Sequence, residues 1–272
     1  MKIFDFNIHL PAVESTDVNQ VIADDLSLDE KGLCSGLRKH YSAVKKISGA
    51  NFLLFNQQLF NQPVDSFKSL CAKQFGVRHW RMTALLDFRQ KNLEVYFGKL
   101  KEAGVFAIMF NSYLQKIAEA DFQQVLKACQ LAEKNKMTIC IDGSYGTSKM
   151  YAYDNMKLAC LIADAITKIP IVIIHSGGYR ILEAMLLALD KPNIYLDTSF
   201  SLNYYVGSSL EKDYAFAYKK IGANRVMFGS DHPYDSFSEA FKKQLSFFKS
   251  HHFSDTEVES IFYKTAMTLI HG

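Results

Sequence analysis

Eight short apolar runs recur along the 272 residues, and nearly every one ends on a polar residue. They lie near 2–7, 51–55, 82–88, 105–110, 138–141, 171–175, 194–197 and 225–229. Between them, apolar positions fall three or four apart, as Val125, Ala128, Cys129, Leu131 and Ala132 mostly do, the spacing of a helix laid on a sheet. Helices are expected over 91–103, 121–135, 155–166, 180–189, 210–221 and 236–250, with a weaker stretch over 64–75. A capping box, Ser254-Asp255-Thr256-Glu257, opens a last helix through Ile270. Near-continuous apolar strands alternating with helices imply a parallel sheet covered by helices. An open doubly wound sheet is the alternative, but its early Gly-rich phosphate loop is absent. Eight strands favour closure, so the expectation is an α/β fold, a single (β/α)8 TIM-barrel domain over 1–272.

The segment from about 10 to 49 breaks this rhythm. It is too long for a simple connection and reads as an insertion after strand one, a lid or a surface element, with a helix over 33–47.

Composition excludes several functions. The net charge is +3 and the basic residues are scattered, so no nucleic-acid footprint or polybasic membrane patch is expected. No signal-like h-region opens the chain, and no stretch reaches the roughly 18 apolar residues of a membrane span. The expectation is a cytoplasmic protein acting on a small molecule. Barrels often form homo-oligomers, but no exposed stripe marks an interface. Cysteines at 34, 71, 129, 140 and 160 are odd in number and lack a C-x-x-C pair, which points to reduced, buried thiols.

The chemistry is expected where strands end. Asp5, Asn7 and His9 alternate, so an extended strand puts them on one face. His175 closes an apolar run and precedes Ser176-Gly177-Gly178, where glycines let backbone approach a ligand at a helix start near residue 179 or 180. Its imidazole can move protons near neutral pH. Asp231, in Gly229-Ser230-Asp231-His232-Pro233, offers a carboxylate as metal ligand or as base for a water. Asp142, Asp197 and Asn111 end three further strands, where helix caps also select such residues. Arg180 and Arg81 are candidates to pair a substrate carboxylate, with surface salt bridging the alternative role for each, and Gly177 is a candidate to present an N–H to an oxyanion.

On these residues the chain resembles the amidohydrolase superfamily, in its amidohydrolase-related group of metal-dependent hydrolases and decarboxylases. Ile3-Phe4-Asp5-Phe6-Asn7-Ile8-His9 is similar to the group's opening Asp-x-His-x-His strand. His175-Ser176-Gly177-Gly178 resembles its strand-six histidine, and Gly229-Ser230-Asp231-His232-Pro233 its strand-eight motif. The resemblance implies a single divalent metal, and a strand-eight aspartate that handles the proton of the attacking water. His9, His175 and Asp231 match. Asn7 stands where a histidine ligand is expected, and so does Asp142. The implied set is His9, Asp142 and Asp231, with Asn7 a poor fourth donor. Its oxygens suit Mn²⁺ or Mg²⁺ better than Zn²⁺, although Zn²⁺ tolerates carboxylates. Three readings stay open: an altered metal site, metal-free acid–base chemistry by Asp231, His175 and Asp142 of the lactonase kind, or a binding barrel that has lost catalysis.

Overall fold

A computed structural model describes residues 1–10, 47–54, 79–145, 148–232 and 234–271. Eight strands make one parallel sheet in sequence order: β1 (Phe4–Leu10), β2 (Gly49–Leu54), β3 (His79–Leu85), β4 (Ala107–Phe110), β5 (Thr138–Asp142), β6 (Ile171–Ile174), β7 (Ile194–Asp197) and β8 (Val226–Met227). The sheet closes on itself beyond the short β8. Phe6 N donates to Phe228 O at 2.9 Å, Asp231 N to Asn7 O at 2.9 Å and His9 N to His232 O at 2.8 Å. The (β/α)8 barrel read from the sequence is therefore the observed fold.

Helices cover it: α1 (Leu93–Glu102), α2 (Phe122–Lys134), α3 (Asn155–Ala165), α4 (Ile181–Asp190), α5 (Ser201–Tyr205), α6 (Leu210–Ile221), α7 (Phe237–Ser250), α8 (Asp255–Glu259) and α9 (Thr265–His271). The short α5 has no counterpart among the expected helices. The final helix is broken into α8 and α9 by a π-helical turn, Ser260–Lys264. Its capping box forms: Glu257 N donates to Ser254 Oγ and Ser254 N to Glu257 Oε2. The expected helix over 64–75, that over 33–47 except for its last residue, and most of the insertion after strand one lie outside the described residues.

Two apolar layers explain the strand pattern. Cys140, Val172, Ile174, Met109, Leu85 and Leu53 form one buried cluster, with Leu269 and Ile270 of α9 against it. Ile139, Ile141, Ile171, Ile173, Ile108 and Phe110 alternate with them and pack with the helices. Most strands are thus apolar on both faces and carry their polar groups at the end; β2 and β3 are exceptions, where buried Asn51 and Thr83 bond each other at 3.0 Å.

β1 departs from the expected alternation. Its register to β2 shifts between Asp5 and Ile8, so one extra residue is accommodated there. Phe4 and Phe6 pack in the inner cluster and Ile8 in the outer one. Asp5 consequently does not share a face with Asn7 and His9, because a bulge inverts the side-chain parity downstream of it. Cys129 and Cys140 are buried free thiols, whereas Cys160 is exposed on α3, contrary to the expectation that all are buried. Cys34 and Cys71 lie outside the described residues.

Candidate active site

The strand ends converge on His175. Its Nε2 lies 3.8 Å from Asp142 Oδ2 and 3.9 Å from Asp231 Oδ1, and all three side chains are almost fully buried. Asp231 Oδ1 is also 3.0 Å from His9 Nε2. Burial alone would lower the His175 pKa, but the carboxylates of Asp231, Asp142 and Asp197 override it and hold the pKa above the usual histidine value.

The backbone here is unusual. His175 (φ 61°), Ser176 (53°) and Asp231 (64°) all lie in the left-handed region, as do Gly177 and Gly178. Non-glycine residues there are strained, and such strain gathers at functional sites. Helix α4 starts at Ile181, later than the sequence suggested, because this left-handed turn occupies 175–178. Gly177 is packed against the end of β5: a Cβ on Gly143 would lie 2.7 Å from Gly177 N.

The other expected residues are placed as follows. Asn111 donates through Nδ2 to Asp142 Oδ2 at 2.9 Å, while Ser144 N and Oγ donate to Asp142 Oδ1 at 2.8 and 2.6 Å. Asn111 is therefore a brace for Asp142. Asp197 sits behind His175, its Oδ1 accepting the His175 and Ser199 backbone N–H groups at 3.1 and 3.2 Å. Burial raises its pKa, against the lowering effect of His175. Asn7 turns its Nδ2 to Ser199 Oγ at 2.7 Å. Arg180 is tied to Asp154 Oδ1 at 2.6 Å, to Tyr145 Oη at 2.7 Å and to Glu183. Arg81 donates to the carbonyls of Trp80 and Ile270.

Several site residues were not expected. Ser199 lies two residues after Asp197, and its Oγ is 2.9 Å from His175 Nδ1. That i, i+2 spacing was the available signal. Phe200 and Tyr234 set their rings edge-on to His175 and His9, with centroids 5.9 and 5.0 Å apart. Both line a cleft of about 710 Å³ between α5 and α7, with Asn203, Tyr204, Lys242 and Lys243 among its walls. Tyr113 stands in the field of Asp142 and Asp231; burial first, then Asp142, raises its phenol pKa well above the usual tyrosine value.

The donor set implied for a metal does not fit one as arranged. His9 Nε2 bonds Asp231 Oδ1 directly and both Asp142 oxygens take protein donors, while Asn7, whose amide N–H goes to Ser199, keeps its Oδ1 buried without a partner. Among the described residues no group of three His, Cys, Asp or Glu side chains is disposed to hold a metal ion. His9, Asp231 and Asp142 do lie near one another, as titratable groups gathered around His175. No helix among the described residues is long and apolar enough to cross a membrane.

The comparisons agree with this architecture. The chain is similar over 99% of its length to an amidohydrolase from Burkholderia multivorans with bound zinc (14% identity, 99% of that chain, TM-score 0.67). It is similar over 99% to a dihydroxybenzoic acid decarboxylase from Polaromonas sp. JS666 with bound manganese and the inhibitor 2-nitroresorcinol (14% identity, 96% of that chain, TM-score 0.66). A third similar structure is described as a putative 2-pyrone-4,6-dicarboxylic acid hydrolase from Pseudomonas putida (16% identity, 98% of this chain, 97% of that one, TM-score 0.62). No curated protein matches the sequence. Hydrolases and decarboxylases thus share the fold. The family model described as Amidohydrolase matches residues 99–271, and the chain belongs to that family.

Proposed function

We propose that this chain is a hydrolase that opens an ester or lactone of a small, cyclic or carboxylated metabolite by acid–base catalysis. The observation that carries this is the position of His175 Nε2 between two carboxylate oxygens, Asp142 Oδ2 at 3.8 Å and Asp231 Oδ1 at 3.9 Å. A ring held there is a proton donor flanked by a base. The Pseudomonas putida hydrolase, named for a cyclic ester bearing two carboxylates, supports this substrate class.

The steps use the chain's own groups. The Asp231 carboxylate takes a proton from a water, whose oxygen attacks the carbonyl carbon. The protonated Nε2 of His175 donates to the oxygen that gains charge. As the carbon–oxygen bond to the leaving group breaks, His175 passes that proton to the alkoxide. The proton on Asp231 then restores His175. Ester and water become acid and alcohol, with both residues returned to their starting states. His9 orients Asp231, Asn111 and Ser144 orient Asp142, and the cleft behind Phe200 and Tyr234 takes the non-reacting part of the substrate.

A panel of lactones and activated esters, beside aromatic carboxylic acids, tests this. Ester turnover that falls by about 10²-fold or more in Asp231→Asn and in His175→Gln is the expected result. Carbon dioxide release from the acids with no ester cleavage would replace hydrolysis by decarboxylation. Ligand-induced thermal shifts without any turnover would leave a binding barrel.

A further inference from the structure

Behind His175 is a buried chain of hydrogen bonds that the proposed steps do not use. Ser199 Oγ donates to Asp197 Oδ1. The same oxygen accepts Asn7 Nδ2 at 2.7 Å and stands 2.9 Å from His175 Nδ1. Ser199 also brings its backbone carbonyl to within 3.2 Å of that nitrogen. A hydroxyl has one hydrogen. Asp197 Oδ1, which collects donors from two backbone N–H groups as well, claims it. The carbonyl can only accept. Both Ser199 oxygens therefore face Nδ1 as acceptors, and Nδ1 must carry a hydrogen.

A strained turn makes this double contact. Phe200 has φ 50° and ψ −71°, and Ser201 N donates to Ser199 O at 2.5 Å. These are the marks of a γ-turn of the rare positive-φ kind. It folds the Ser199 carbonyl back toward its own side chain, so both reach His175, and it sets the Phe200 ring edge-on to the same imidazole. Gly229 leaves the room: a Cβ there would run into Asp197 Oδ2 and lie 2.9 Å from Ser199 Cβ.

We propose that Asp197, Ser199 and the Phe200 γ-turn form a relay of positioning residues that locks His175 with its hydrogen on Nδ1, leaving Nε2 as the working nitrogen. The consequence for catalysis rests on the hydrolase reading above; the tautomer does not. Nitrogen-15 NMR of the His175 ring, at a pH where it is neutral, reads the tautomer without any substrate. The wild type is expected to be the Nδ1–H form. Ser199→Ala removes one acceptor and the link to Asp197, and is expected to populate the Nε2–H form. A melting temperature of Ser199→Ala close to that of the wild type shows that the variant is folded. On a substrate found in the panel, Ser199→Ala is expected to lower kcat by about 10²-fold with little change in KM. A wild-type ring in the Nε2–H form, or a Ser199→Ala ring still wholly Nδ1–H, would overturn the relay. An Nδ1–H wild type that turns over no ester would uphold the relay and defeat only the hydrolase reading.

Discussion

His175 Nε2 and Asp231 Oδ1 face each other at 3.9 Å, and each residue stands on left-handed backbone, at φ 61° and 64°. Two non-glycine residues in that region, each at a cost of roughly 1–3 kcal/mol, persist only where surrounding contacts impose them. Asp197 does so for His175 by accepting its backbone N–H, and Asn7 does so for Asp231 by accepting its N–H. The strain turns both side chains toward one point.

This pairing sets a pH dependence. Burial lowers the His175 pKa and the Asp231, Asp142 and Asp197 charges raise it, with a net rise above 6.5. A histidine whose folded value exceeds its unfolded value stabilises the fold fully below the unfolded value, and loses that contribution as pH rises through the folded one. The thermal stability advantage of the wild type over His175→Gln should therefore shrink as pH rises above 6.5. An advantage that grew with pH would contradict the charge arrangement.

Asp5 shifts stability in the same direction with pH for a different reason, its burial. Buried completely, it accepts Ser230 N at 2.9 Å and Asn7 N at 3.2 Å through Oδ1, while Oδ2 has no partner. Burial raises its pKa from 3.8 to about 7, with the hydrogen bonds from Ser230 pulling the other way. The folded chain then holds the proton more tightly than the unfolded chain, so the residue costs stability as pH climbs from 3.8 toward 7, up to about 4 kcal/mol in all. Asp5→Asn, which retains an accepting oxygen, should gain in melting temperature relative to wild type as pH rises through that window. Parallel melting curves would refute a neutral buried Asp5.

Gly229 tests the packing behind the site. Its missing Cβ makes way for Asp197 Oδ2 and lies 3.0 Å from Asn7 Cβ. Gly229→Ala should destabilise the fold by about 1–3 kcal/mol, the usual range for overpacking, measured by chemical denaturation. An unchanged midpoint would mean that Asp197 has room to move.

Metal removal tests the donor set. With His9 bonded to Asp231 and both Asp142 oxygens taken by protein donors, turnover should survive exhaustive chelation within about twofold, and Asp142→Ala should not alter the metal content measured by elemental mass spectrometry. Near-stoichiometric zinc or manganese, lost on chelation together with activity, would restore the metal-dependent reading of the similar structures.

Sequence alone determined the barrel and the residues at its rim. Apolar runs such as Ile171–Ile174 are legible because burial on both faces removes any need for a polar partner. His175, Asp231 and Asp142 were legible because a polar residue ending such a run sits at the barrel mouth. The partners of those side chains were not. The β1 bulge moved Asn7 and His9 out of step with Asp5, and register is a property of paired strands. Ser199, 24 residues from His175 in sequence, meets it only through a γ-turn at Phe200, which carries no glycine to announce it. Arg180 pairs with Asp154 and Glu183, the surface salt bridging that was the alternative to holding a substrate carboxylate. Sequence periodicity records which side of an element is buried. Which nitrogen of a histidine is held, and which carboxylate it faces, depends on contacts between distant strand ends that only the closed barrel brings together.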